Sequence, residues 1–516
     1  MPYSKVKYLK QTNMKKTIIF AILTLVISMT SCKKWLDVQP ESEVSAPVLF
    51  STESGYMDAI NGIYTRAAQT DLYGKEMTFG TPEVLAQNYT MGYNEGLNYT
   101  QTSQYLYNNK EFKERKDKIW AALYNCIVNA NLILENIDDN KSVFAGNNYS
   151  LVKGEALALR AYLHFDALRL FAPSFATGAS AKGVPYVTTY SKEITPMSTV
   201  TEVLDKAIAD LTEAKTLMTG DPIRTAGYLI NYPTVDDEDT NTEEGANLQY
   251  FHNRRHRLNY YAVCGTLARV LLYKNDKANA LVNALEVINA KKFPWTLKAD
   301  FNAFEASKKD RILYKELLFG WYMPRSWFVD GNTEDIKDNW FVSGTRGLFL
   351  SDDAARTIYE TGSIGANDLR FKNWLSLTGT ITAKTYDIVK YQRNLLSEEA
   401  NANLHYLMAP AIRLTEMYYI AAECIFPTDP AKAIEYINIV RFQRDLDNLP
   451  TITSPETFMQ ELLKECRKEW LAEGQLFFMY KRLNRPIIGQ TGATIPASDK
   501  IFVLPLPDDE IVYGGR

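Results

Sequence analysis

The chain of 516 residues is 46% hydrophobic and 23% charged, a globular composition that excludes a disordered protein and, at about 100–200 residues per domain, a single small module. Its formal charge is -4, with 57 Lys+Arg against 61 Asp+Glu, and no basic run of five or more residues occurs, so the electrostatic footprint of a nucleic-acid binder is missing. Residues 1–31 carry Lys5, Lys7, Lys10, Lys15 and Lys16 and no acid, and without them 52 basic residues face 61 acidic ones, a balance of -9.

That basic start leads into Thr17–Ser31, an apolar stretch of the length of a signal-peptide core and too short for a bilayer span. Residues 1–31 therefore read as an export signal, with Met14-Lys15-Lys16 the more natural start and residues 1–13 an upstream extension. The stretch closes on Met29-Thr30-Ser31-Cys32, which resembles a bacterial lipoprotein box in which Cys32 is acylated and becomes the mature N-terminus. An anchor of two or more acyl chains holds stably, at roughly 0.8 kcal/mol per buried CH₂, without spanning the membrane.

Helical periodicity dominates the chain. Stripes run through Trp120–Ile137, Glu155–Ala172, Val200–Met218 and Leu258–Tyr273. The polar turn Lys274-Asn275-Asp276 makes a helix hairpin of residues 258–290, and Pro427-Thr428-Asp429-Pro430 makes another of Ile412–Ile425 with Ala431–Arg444. Hairpins of this length are the tetratricopeptide unit, so the sequence predicts a mainly α fold with tetratricopeptide-like hairpins as scaffold, long loop-rich insertions and little β structure. The insertions are residues 73–110, rich in Tyr, Asn, Gly and Thr, the polar residues 220–256, and residues 291–405, which mix aromatics with Gly and Asp. Six acids between Asp236 and Glu244 mark the second as solvated. Cys126, Cys264, Cys424 and Cys466 sit in helical patterns without a C-x-x-C pair and read as buried free thiols.

Catalytic and metal signatures fail at the level of spacing and neighbours. Glu465, Glu469 and Glu473 recur every four residues, but carboxylates on one helix cannot straddle a glycosidic bond, and Lys464, Arg467 and Lys468 lie within ion-pairing reach. His252 and His256 have the spacing of zinc ligands, yet Arg254, Arg255 and Arg257 surround them, which reads as a solvated basic face. Asp237–Asn241 imitates an EF-hand start, but Thr242 stands where Gly is required. No catalytic residue, cofactor or metal site is expected.

Six further motifs come after Cys32 in order. They are Leu36-Asp37 with Pro40, Arg160-Ala161 with Phe165 and Leu168-Arg169-Leu170-Phe171, Gly183-Val184-Pro185-Tyr186-Val187-Thr188, Glu202-Val203 with Asp210-Leu211 and Ala214, Glu465–Gly474 with Lys481-Arg482, and Leu504-Pro505-Leu506-Pro507. Together they resemble the SusD/RagB family of Bacteroidota outer-membrane lipoproteins, over residues 32–516 as one SusD-like domain with an N-terminal part at 32–230 and a C-terminal part at 257–516. Gln475, Leu476 and Met479 depart from that family's usual His, Arg and Asp.

The resemblance implies a non-catalytic, lipid-anchored cell-surface protein of the outer membrane that captures an oligosaccharide and delivers it to a SusC-like TonB-dependent transporter, or, as in some relatives, captures a peptide. It also implies a ligand site built from loops in the first and third insertions. Flat apolar rings suit the C–H faces of sugars and amides suit their hydroxyls. On that ground Tyr89, Tyr93, Asn94 and Tyr99, with Trp321, Trp327 and Trp340, are the expected ligand contacts.

Overall fold

The computed structural model describes residues 45–93, 95–233, 243–246, 248–323, 341, 343–344, 347–380, 382–392, 403–489 and 492–515. Cys32, Asn94, Trp327 and Trp340 lie outside the described residues. Residues 1–51 form a unit of their own, whose described part holds the one-turn helix Ala46–Leu49. The second unit, Thr52–Arg516, holds all the other described elements.

Among its described residues the helices of eight residues or more are α1 (Glu53–Ala67), α2 (Lys110–Ile137), α3 (Asn148–Phe171), α4 (Val200–Leu217), α5 (Tyr260–Tyr273), α6 (Lys277–Ala290), α7 (Asp352–Tyr359), α8 (Leu414–Ile425), α9 (Pro430–Gln443), α10 (Pro455–Glu469) and α11 (Leu476–Leu483). Seven short strands join them: β1 (Leu317–Tyr322), β2 (Phe349–Ser351), β3 (Leu375–Thr380), β4 (Ala383–Ile388), β5 (Met408–Arg413), β6 (Ile487–Ile488) and β7 (Thr494–Ile495). The predicted class, mainly α with little β, is the class observed.

The scaffold is a run of packed neighbours. α1 packs on α2, α2 on α3, α3 on α4, α4 on α5, and the hairpins α5–α6 and α8–α9 meet where α6 lies against α8. Side-chain caps mark the starts of several of these helices. Thr199 caps α4 by accepting from the Glu202 N–H at 3.2 Å while the Glu202 carboxylate accepts from the Thr199 N–H at 2.7 Å, a capping box that satisfies two of the orphan donors at the helix start. Asn109 caps α2 ten residues before the predicted start, because the first three turns, Lys-Glu rich, carry too few apolar side chains to register as a stripe.

One expectation about the helices changes. α3 is not amphipathic: it is buried nearly all round from Leu151 to Phe171, including Glu155, Asp166 and Arg169, as befits the central helix of a layered stack. The segment Gly183–Thr188 runs extended but forms no ladder beyond the isolated bridge of Lys182 with Thr199. Side chains hold it instead: Tyr124 donates to the Pro185 carbonyl at 2.9 Å, Asn131 to the Val187 carbonyl at 2.9 Å, and His164 Nε2 accepts from the Val187 N–H at 2.9 Å. The Arg160–Asp210 ion pair at 2.7 Å and the Tyr186 hydroxyl on Asp210 at 2.6 Å lock the same corner. The motif residues of α3 and α4 are therefore assembly residues.

The third insertion holds most of the strands. β1 pairs with β5 and the order β2-β4-β3 makes a small sheet, all antiparallel. β5 occupies the stretch where the sequence predicts the start of a helix at Ile412, and α8 begins two residues later. One hydrophobic cluster joins the two aromatic insertions, with Phe79, Tyr89 and Tyr99 from the first and Phe341, Leu350, Trp374 and Tyr391 from the third.

A buried ion network ties the scaffold to this second core. Glu469 receives Arg413 at 2.5 Å, Arg444 at 2.8 Å and Arg370 at 2.9 Å. Arg444 also reaches Glu316 at 2.6 Å, Arg441 pairs with Glu465, and Lys390 with Glu473 at 2.5 Å. Of the neighbours predicted to pair with these glutamates only Lys468 does so, at 3.2 Å from Glu465, while Lys464 turns to Glu461 at 2.8 Å and Glu360 at 3.2 Å. The three carboxylates are consumed by structure, which removes them from any catalytic role. Cys126, Cys264, Cys424 and Cys466 are free and buried, as predicted.

Candidate ligand-binding surface

Strand geometry decides which aromatic faces outward. Leu317 to Trp321 of β1 are all buried and only Tyr322, at the end of the strand, is exposed, so Trp321 lies in the core and Tyr322 faces out of it. Trp321 is 1% exposed. It lies parallel to Tyr73 with ring centroids 4.2 Å apart and within 4.8 Å of Phe319. Tyr89 and Tyr99 are buried too: the Tyr89 hydroxyl donates to the Phe79 carbonyl at 3.0 Å, and that of Tyr99 to Glu76 at 3.0 Å beneath the Arg115 guanidinium, 4.2 Å from the ring centre. These three predicted contacts thus present no ring to solvent, since each hydroxyl or ring face is already satisfied by a core neighbour. Tyr93 is fully exposed.

The outward side of β1 carries a different group. His256 lies parallel to Tyr322, interplanar angle 4° and centroids 5.3 Å apart. Tyr406, two residues before β5, stands edge-on to both, at 5.3 Å from His256 and 5.8 Å from Tyr322. The three rings form a partly exposed floor in the offset and T-shaped arrangements aromatic quadrupoles favour. Glu244 edges this floor, accepting from the Tyr406 hydroxyl at 2.7 Å and from the Asn253 amide at 3.0 Å.

What holds the floor is the segment read from sequence as a solvated basic face. Arg254 and Arg255 are instead fully buried. Arg254 pairs with Asp221 at 2.9 Å and Glu155 at 3.4 Å, Arg255 with Glu243 at 2.5 Å, and Arg257 with Glu155 at 3.0 Å. Glu243, one of the six acids expected in solvent, is therefore a core counter-ion. Asn253 takes a left-handed φ of 47°, which Asn tolerates, and so turns the chain to present His256. Burial, helped by the charges of Arg255 and Arg257, lowers the His256 pKa to about 3, leaving a neutral flat ring at physiological pH. His252 is no zinc partner: its Nε2 engages the Ala246 carbonyl at 2.7 Å.

Chemically, three uncharged rings beside one carboxylate offer apolar area for C–H faces and a strong acceptor for hydroxyl donors. Tyr322 lies in the aromatic third insertion and His256 stood out only for its zinc-like spacing from His252, whereas Tyr406 carried no signal; only the β1–β5 pairing and the Arg254–Arg255 anchor bring the three rings together.

A family model described as "Starch-binding associating with outer membrane" matches residues 34–228, and one described as "SusD family" matches residues 360–503. The chain is 24% identical over 496 residues, 91% of its length and 92% of the relative's, to SusD-like protein P38 of Formosa agariphila. Solved structures with the same fold include a SusD superfamily protein from Bacteroides thetaiotaomicron (TM-score 0.65, 21% identity, 90% of this chain and 98% of that one). A SusD-like carbohydrate binding protein from Bacteroides vulgatus has a TM-score of 0.64, 18% identity and coverage of 90% of this chain and 97% of that one. His256 and Tyr322 lie between the two matched regions and Tyr406 inside the second.

Proposed function

As the chain belongs to the SusD/RagB family, we propose that it binds an oligosaccharide on the His256–Tyr322–Tyr406 surface and delivers it to a SusC-like TonB-dependent transporter of the outer membrane. The observation that carries the binding step is the partly exposed aromatic floor with Glu244 at its edge. A sugar ring stacks on Tyr322 while its hydroxyls donate to Glu244, and the fully exposed Tyr93 adds a second aromatic contact. Asn94, Trp327 and Trp340 complete the proposed contact set. This reading makes the protein a binder, and the glutamates that could be read as a catalytic pair are held by arginines.

Acylation of Cys32 tethers it to the outer membrane at the cell surface. Among the described residues no helix is long and apolar enough to cross a membrane, so the lipid would be the attachment. Labelling with an alkyne fatty acid should mark the wild type and spare Cys32→Ser. Affinity purification from outer membranes should recover a TonB-dependent transporter, and recovery of none would refute the delivery step. On a glycan array, Tyr322→Ala should lose the signals of the wild type.

A further inference from the structure

A second cavity lies on other elements. It measures about 430 Å³ and is walled by α7, α10, α11 and the β6–β7 hairpin through Ile358, Leu463, Lys464, Arg467, Tyr480 and Ile488. That volume is within the range of small-molecule sites. Its lining mixes the apolar side chains Ile358, Leu463, Pro486 and Ile488 with Lys464, Arg467, Arg485 and one carboxylate, Glu360, which is held by Lys468 at 2.6 Å and Lys464 at 3.2 Å.

Arg467 is 6% exposed, yet among the described residues it makes no ion pair. Its Nε donates to the Asn88 side-chain oxygen at 3.3 Å and its Nη2 to the Gln87 carbonyl at 3.2 Å, two long bonds to neutral acceptors. The fully buried Arg254, Arg255, Arg370, Arg413, Arg441 and Arg444 each hold at least one carboxylate. Glu83, the carboxyl nearest in kind, is taken by the Asn88 amide at 2.8 Å and the N–H groups of Gly474 at 2.8 Å and Ala472 at 3.1 Å. At the cavity wall Lys464 has Glu461 at 2.8 Å and Arg485 has Glu456 at 2.6 Å. A buried charge without a counter-ion is costly, and a carboxylate entering the cavity relieves that cost through charge-assisted hydrogen bonds.

We propose that this cavity binds a small organic acid, its carboxylate on Arg467 and its carbon body against Ile358, Leu463 and Ile488. The site is independent of the aromatic floor and takes a different chemistry, an anion where the floor takes neutral hydroxyls.

Isothermal titration of the full chain with D-glucuronate, benzoate and D-glucose tests it. At least one of the two acids should bind and D-glucose should not; glucuronate alone assigns sugar acids, benzoate alone assigns apolar acids. Arg467→Gln should weaken binding at least about tenfold. Should that variant fail to fold, Thr357→Trp decides, because Thr357 is an exposed residue of the cavity lining whose enlargement narrows the cavity without touching the Arg467 contacts. Absence of binding by both acids up to roughly 10 mM, a range that would still reveal weak sites, overturns the proposal, as does D-glucose binding equal to the acids or affinity unchanged in Thr357→Trp.

Discussion

Glu469 illustrates what single residues do here. It is buried, and burial alone would raise its pKa, but Arg444, Arg413 and Arg370 together hold it well below the usual carboxylate range. Removing one partner of a buried charge cluster leaves the others uncompensated, at about 3–5 kcal/mol. Glu469→Gln should therefore destabilise the protein by about that amount in denaturant unfolding, or prevent folding. Glu435→Gln, which breaks the exposed Lys432–Glu435 pair, should cost at most about 1 kcal/mol.

His164 sets a pH dependence. Burial lowers its pKa to about 3 from 6.5, because the imidazole must stay neutral to accept the Val187 N–H. The unfolded chain binds that proton more readily, so the stabilising contribution is complete above about pH 6.5 and is lost as pH falls toward 3. His256 acts in the same direction over the same window. Glu465, held near 2 against the opposing effect of burial by Lys468, Arg370 and Arg441, adds a loss below about pH 4.5. Opposing these, Glu83, raised by burial to about 7, favours the folded state most below pH 4.5 and loses that contribution as pH rises through 7. Thermal midpoints should fall steeply from pH 6 to pH 4, and His164→Gln should flatten that slope while lowering stability at pH 7.

At the scale of elements, caps and turns are separable from the core. Thr199→Ala removes half of the α4 capping box and should cost about 1 kcal/mol, measured as a shift of the unfolding midpoint. Gly474, at the turn between α10 and α11, has φ 72°, and a Cβ there would meet the Met77 carbonyl oxygen at 2.3 Å. Gly474→Ala should destabilise more than the cap change, because both the backbone conformation and the close approach of residues 77–78 forbid a side chain.

The elements also set how far the sequence could be read. α4 and α9 were legible because each keeps a polar face, whereas α3 and α5 are buried nearly or wholly all round and carry no contrast to reveal their orientation. Arg254 and Arg255 looked solvated because their acids, Glu155, Asp221 and Glu243, lie 12 to 99 positions away. Tyrosine misled in a similar way. Tyr89 and Tyr99 pass as surface residues in a polar segment, yet each hydroxyl finds a core acceptor, which sequence spacing cannot express. The choice between Trp321 and Tyr322 turned on where β1 leaves the core, which required knowing that β1 exists.

For the whole molecule, the helical stack supplies rigidity and the second core, fastened to it through Glu469, supplies surfaces. Several family motif residues are held in ion pairs: Arg160 with Asp210 inside the helical stack, and Glu465 and Glu469 with their arginines at the fastening. The proposed ligand floor falls largely outside the matched regions.

Oligosaccharide capture on the aromatic floor is decided by isothermal titration of a panel of neutral oligosaccharides and of short peptides against the wild type and Tyr322→Ala/Tyr406→Ala. At least one oligosaccharide should bind the wild type, the double substitution should weaken it at least about tenfold without lowering the unfolding midpoint appreciably, and peptides should not bind. Binding of peptides alone, or saccharide affinity unchanged by the double substitution, would contradict a saccharide site on these rings.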